Sequence, residues 1–187
     1  GSCAERLPPL VAGGGSAALA VNGDGTIVGG LASPSLDAPA SVPVRWAHIM
    51  EQWQITQLDH RPGGAWGANA LGDLAGRVVV PCALENGCSR ATIWYAEGGS
   101  VELGTLGGAE SWARGINASD EVVGGSTAEN GVNTGFFWSE WSGMLKLPVK
   151  GQWAAANAVS DVRPDGTRLV VGMDAQGQAL VWVIRNP

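Results

Sequence analysis

Apolar and polar residues follow one another along the chain in short runs, with helical spacing nowhere convincing, and three kinds of run recur in fixed order four times. The first kind is alanine, any residue, a small residue, an aliphatic one, then a small polar residue or glycine. It reads Ala18-Leu19-Ala20-Val21-Asn22, Ala68-Asn69-Ala70-Leu71-Gly72, Ala113-Arg114-Gly115-Ile116-Asn117 and Ala156-Asn157-Ala158-Val159-Ser160, at intervals of 50, 45 and 43 residues. After a short turn comes an aliphatic pair: Ile27-Val28, Val78-Val79, Val122-Val123 and Val170-Val171. The third kind ends in tryptophan, at Trp46, Trp94, Trp138 and Trp182.

Each run is short, rich in Val, Ile and Trp, and bounded by Gly, Asn, Asp or Ser, which predicts β-strands joined by tight turns. Asn22-Gly23-Asp24-Gly25 and Pro164-Asp165-Gly166 are turn sequences between the first and second strands. A fourth strand follows the tryptophan in three copies, over 54–58, 101–106 and 145–149. The last copy has five residues after Trp182 and no room for one. Arg6-Leu7-Pro8-Pro9-Leu10-Val11 has the leucine spacing of Leu103 to Leu106 and a Gly-Gly after it, so the missing strand is expected at residues 5–12.

Four-stranded units of this length predict the blades of a propeller. The expected architecture is an all-β, four-bladed β-propeller spanning 1–187. Its repeats are approximately 16–60, 61–108, 109–151 and 152–187, with the last blade completed by the N-terminal strand, which leaves no free sheet edge at the seam. A β-sandwich or a β-solenoid of the same repeats is the alternative. The 29 glycines, about twice ordinary usage, are expected to crowd the ring axis and to let neighbouring blades approach.

The segment Leu103-Gly104-Thr105-Leu106-Gly107-Gly108, with Ser111-Trp112-Ala113-Arg114-Gly115-Ile116-Asn117, Val122-Val123-Gly124-Gly125-Ser126 and Gly135-Phe136-Phe137-Trp138, resembles the bacterial extracellular repeats of the HAF family. Thr134-Gly135-Phe136 stands where that family usually has His-Ala-Phe, so the histidine is missing. The resemblance extends over all four repeats, more weakly in the second and fourth. It implies an exported bacterial protein, secreted or associated with the cell envelope, and it implies no activity.

Charge narrows the partners. Eleven basic residues are scattered against seventeen acidic ones, a net charge of −6. No basic stripe exists to neutralise nucleic-acid phosphates or an anionic membrane surface, and no apolar run is long enough to span a bilayer. Cys82 and Cys88 flank the turn dipeptide Asn86-Gly87, so strand ends on either side of that loop are expected to form a disulfide. Cys3 follows Gly1-Ser2, which looks like a cloning scar. It resembles the acylated first residue of a bacterial lipoprotein and is the candidate lipidation site.

Trp46, Trp94, Trp138 and Trp182 recur in every repeat and are read as core. Trp66, Trp112 and Trp153 precede the first strand of their repeats, beside the long loops 31–42, 82–88, 126–134 and 174–178. They are the candidate binding residues for a glycan or protein partner. Catalytic and metal residues are not assigned, and no cofactor is expected. His48 and His60 lack ligand-spaced companions, and Asp24, Asp73, Asp120 and Asp165 fall in turns. The expected function is a non-enzymatic binding or scaffolding module. The alternatives are a carbohydrate-active enzyme, with acids such as Asp59 and Glu110 at the channel mouth, and a subunit of a larger envelope assembly.

Overall fold

The computed structural model describes residues 4–149 and 154–185; Cys3 and Trp153 lie outside them. The described residues form fifteen strands and no helix, arranged as four antiparallel sheets. Sheet 1 holds β1 (Ser16–Val21), β2 (Ile27–Ala32), β3 (Val42–Ile49) and β4 (Gln52–Gln57). Sheet 2 holds β5 (Gly63–Ala68), β6 (Leu74–Val80), β7 (Cys88–Trp94) and β8 (Ser100–Glu102). Sheet 3 holds β9 (Gly107–Ile116), β10 (Val122–Ala128), β11 (Asn133–Ser139) and β12 (Gly143–Lys146). Sheet 4 has three strands, β13 (Ala154–Val159), β14 (Arg168–Asp174) and β15 (Ala179–Ile184). Within each sheet the strands pair in chain order, as a meander.

The first strand of every sheet carries a one-residue bulge, at Leu19, Trp66, Arg114 and Asn157. A bulge pushes a carbonyl toward the neighbouring strand, and the residue facing it is Gly30, Gly76, Gly124 or Gly172. A Cβ at any of the four would collide with the carbonyl oxygen of Ala17, Gly64, Trp112 or Ala155. These repeated glycines therefore relieve a clash inside each sheet, rather than serving only the approach of one sheet to the next.

The bulges also fix the second repeat, which differs from the sequence pattern. Ala65, not Ala68, faces the glycine, and Ala68 pairs with Leu74. The structural copy is thus Ala65-Trp66-Gly67-Ala68-Asn69, and its aliphatic pair is Leu74-Ala75. Val78, Val79 and Val80 extend β6 beyond it. Asn69 is the residue that ends the copy because its Oδ1 accepts from Leu71 N and Asp73 N, at 3.0 and 2.9 Å, closing the turn.

Sheets pack in sequence, 1 on 2, 2 on 3 and 3 on 4, each through the first strand of the later sheet. Among the described residues no strand of sheet 4 packs on sheet 1 to a like extent. Trp46, Trp94, Trp138 and Trp182 are buried, and each packs with a leucine from an outer-strand end: Leu58 for Trp94, Leu103 for Trp138, Leu147 for Trp182. Burial of one such indole is worth about 3–5 kcal/mol against truncation to alanine.

For Trp46 the leucines are Leu7 and Leu10. Residues 5–12, expected as the closing strand, carry no strand in the structure; proline removes backbone donors at Pro8 and Pro9. Instead the Trp46 indole N–H donates to Pro8 O at 2.8 Å, as the Trp182 indole donates to Pro148 O at 2.6 Å. Leu7-Pro8 therefore occupies, on sheet 1, the place that Leu147-Pro148 occupies on sheet 4.

Polar groups lock the joints between sheets. Asn69 Nδ2 donates to Asn117 O at 3.1 Å, and Asn117 Nδ2 donates to Ser160 O at 2.9 Å. Arg45 reaches from sheet 1 to Tyr95 O and Ala96 O, each at 3.1 Å. Arg168 of sheet 4 grips Glu121 of sheet 3 with two nitrogens, at 2.7 and 2.9 Å. A two-nitrogen grip on a buried carboxylate fixes orientation as well as charge.

Candidate functional site

The joint between sheets 2 and 3 opens into a cleft of about 400 Å³ lined by Trp66, Arg77, Glu110, Trp112, Arg114 and Asn133. Trp66 and Arg114 stand at bulges, which turn their side chains out of the strand alternation. Arg77 comes from β6, with its guanidinium carbon 5.5 Å from the Trp66 ring centroid. That cation–π contact is worth about 0.5–1 kcal/mol at an exposed site. Arg77 Nη1 also donates to Ser89 Oγ at 3.2 Å.

Trp112 lies over Gly125, where any Cβ would run into the indole. Glycine at this one position makes the seat for the ring. Glu110 Oε1 accepts from Ser89 N at 3.4 Å. The Arg114 side chain is exposed and makes no hydrogen bond or ion pair with a described residue. Two guanidinium groups against one carboxylate make the cleft locally positive on a chain of net charge −6.

Trp66 and Trp112 are brought together here, while Trp153 lies outside the described residues. They are not equivalent in the repeat, since Trp66 is a bulge residue and Trp112 pairs with Gly125. Arg77 and Arg114 were not singled out from the sequence. A signal existed, in that Arg77 interrupts the otherwise apolar Leu74–Val80. Cys82 and Cys88 form a disulfide across the β6–β7 loop, with S–S 2.04 Å.

Several other ionisable residues have structural partners. Asp59 is bound by Arg61 at 2.7 Å, and Arg61 also reaches Glu102 at 2.6 Å. His48 stacks at a tilt on Trp53, and His60 Nδ1 lies 3.0 Å from Gln57 Nε2. Asp24 and Asp165 accept from the hydroxyl and backbone N–H of Thr26 and Thr167, which holds both carboxyls below the ordinary range. No group of three or more His, Cys, Asp or Glu is placed to hold a metal ion among the described residues.

One carboxyl is shifted upward. Asp120 rises to about 6, through burial and then the charge of Asp73. Asn69 Nδ2 bridges the two, donating to Asp73 Oδ2 at 3.0 Å and Asp120 Oδ1 at 2.8 Å. Asp73 Oδ1 accepts from Ala96 N at 2.7 Å. This pair is tied into the joint between sheets 2 and 3.

Fold and cleft together define an all-β protein of four antiparallel sheets with an aromatic, arginine-bearing cleft between two of them. Compared with family models, with curated proteins and with solved structures, the chain matches none.

Proposed function

We propose that this chain is a non-enzymatic binding module of an exported bacterial protein, and that its partner seats in the cleft between sheets 2 and 3. On this reading the four sheets are successive blades of a propeller with HAF-type repeats, and the N-terminal segment serves as an outer strand. The observation that carries the binding role is the pairing of two tryptophan faces with the unengaged guanidinium of Arg114. Indole faces favour a sugar ring or a flat side chain, and a guanidinium favours a carboxylate. A glycan or protein partner that offers a flat apolar face beside an anionic group fits both.

The test is a titration of the whole protein with a uronic-acid oligosaccharide, followed by tryptophan fluorescence and by product analysis. The expected result is saturable quenching without turnover, lost in Arg114→Ala at unchanged Tm. Release of shortened products would move the protein to the carbohydrate-active class instead. Quenching that persists in Arg114→Ala would take the cleft out of the account.

A further inference from the structure

Sheet 4 repeats the plan of sheet 3, yet the face it turns away from sheet 3 is bare. In sheet 3 the corresponding face carries Val123 and Phe137, 0% and 2% exposed beneath β13. Register places Val171 and Val181 at the same two positions of sheet 4, and they are 45% and 63% exposed, with Val183 at 52% beside them. The opposite end of the array is bare as well. Ala18 is exposed, whereas its counterparts Ala65, Ala113 and Ala156 are buried, and Leu19 and Val21 lie open on the same strand.

Two further observations say what covers these faces. Inside the chain, a face like that of Val171 and Val181 is covered by the bulged first strand of the following sheet, and β1 is such a strand whose own outward face is bare among the described residues. Leu7-Pro8 already sits on Trp46 as Leu147-Pro148 sits on Trp182, so the residues just before Leu7 stand where an outer strand of a preceding sheet would end. Among the described residues β15 has no outer partner, unlike β3, β7 and β11. Face and edge on sheet 4 thus complement β1 and the N-terminal segment, and among the described residues both stay uncovered.

We infer that the occupant is a second copy of this chain, in a reciprocal pair. The β1 face of each copy covers the Val171–Val181 face of the other, and the N-terminal segment of each supplies the outer strand of the other's β15. The contact is head-to-tail, and two copies satisfy both ends at once, so the assembly stops at a closed pair and does not run on as a filament. The inference rests on reading the sheets as successive blades, but not on the ligand proposed for the cleft.

Sedimentation equilibrium of the whole chain at micromolar concentrations tests it. The expected mass is twice the 19.1 kDa of the chain, and Val181→Asp returns it to that of one chain with the β-sheet circular dichroism unchanged. Val183→Lys serves as a second variant with the same expectation should Val181→Asp not fold. A wild-type mass of one chain overturns the inference and favours closure within the chain. A pair that survives both substitutions, or a mass that keeps growing with concentration, also overturns it. Cleft binding by Val181→Asp is expected to match wild type, which separates failure here from failure of the functional reading.

Discussion

Sheets 3 and 4 share strand order, bulge, facing glycine and terminal tryptophan, and they differ in what lies on one face. Sheet 3 meets protein on both faces, and the middle of its third strand is buried on both, with Phe136 on one side and Phe137 on the other. Sheet 4 meets protein on one face, and its third strand alternates between exposed Val181 and Val183 and inward-facing Trp182. The repeat therefore specifies the sheet, while burial is decided by neighbours. An exposed valine in the last copy is a core valine whose neighbour has not arrived.

The largest effect expected from that contrast comes from placing one charge at equivalent sites. Phe137→Asp buries a carboxylate without a partner and should lower Tm by roughly 10 °C or more. Val181→Asp, in dilute protein, should shift Tm by no more than about 2 °C. Thermal melts followed by circular dichroism decide it, and equal losses at the two sites would erase the distinction between the faces.

A smaller effect separates two buried tryptophans. Trp46→Phe removes the indole donor to Pro8 O and should cost about 1 kcal/mol more than Trp94→Phe. The Trp94 Nε1 is buried with no partner, so phenylalanine there gives up no hydrogen bond. Urea midpoints of the two variants measure the difference, and a larger loss at Trp94 would contradict it.

The smallest effect concerns pH. Asp120 binds its proton more tightly in the folded chain, at about 6 against an ordinary 3.8. A raised carboxyl stabilises the fold while protonated, and that contribution drains away as pH rises from about 4 to about 6. Asp120→Asn cannot ionise, so its Tm should fall less across that window than the wild type's. A steeper fall in the variant would show that Asp120 is not the group responsible.

Much of the fold was legible because strands, turns and tryptophans recur with their neighbours, and repetition reveals which residues serve a shared plan. The second repeat was misplaced by three residues because Ala65 and Ala68 both satisfy a small-residue pattern. Only the bulge, a backbone event, tells which one faces Gly76. The cleft was half legible. Trp66 and Trp112 announce themselves by size, but Arg77 and Arg114 acquire their meaning from a joint between sheets, which no single strand encodes. The N-terminal segment was legible as belonging with an outer strand, while its seat on Trp46 depends on a Pro8 carbonyl that no side-chain pattern marks.

The asparagine relay has a direction. Asn69 and Asn117 each hand an amide hydrogen forward to the next sheet, but Ser160 turns its hydroxyl to Asp161 O and receives Leu169 N. Serine at that rung is too short to pass anything on. At its outward face sheet 4 thus lacks the amide latch that fastens sheets 2, 3 and 4, and the pair proposed above would be held there by apolar contact and strand pairing. In the proposed pair that seam parts without breaking an amide latch.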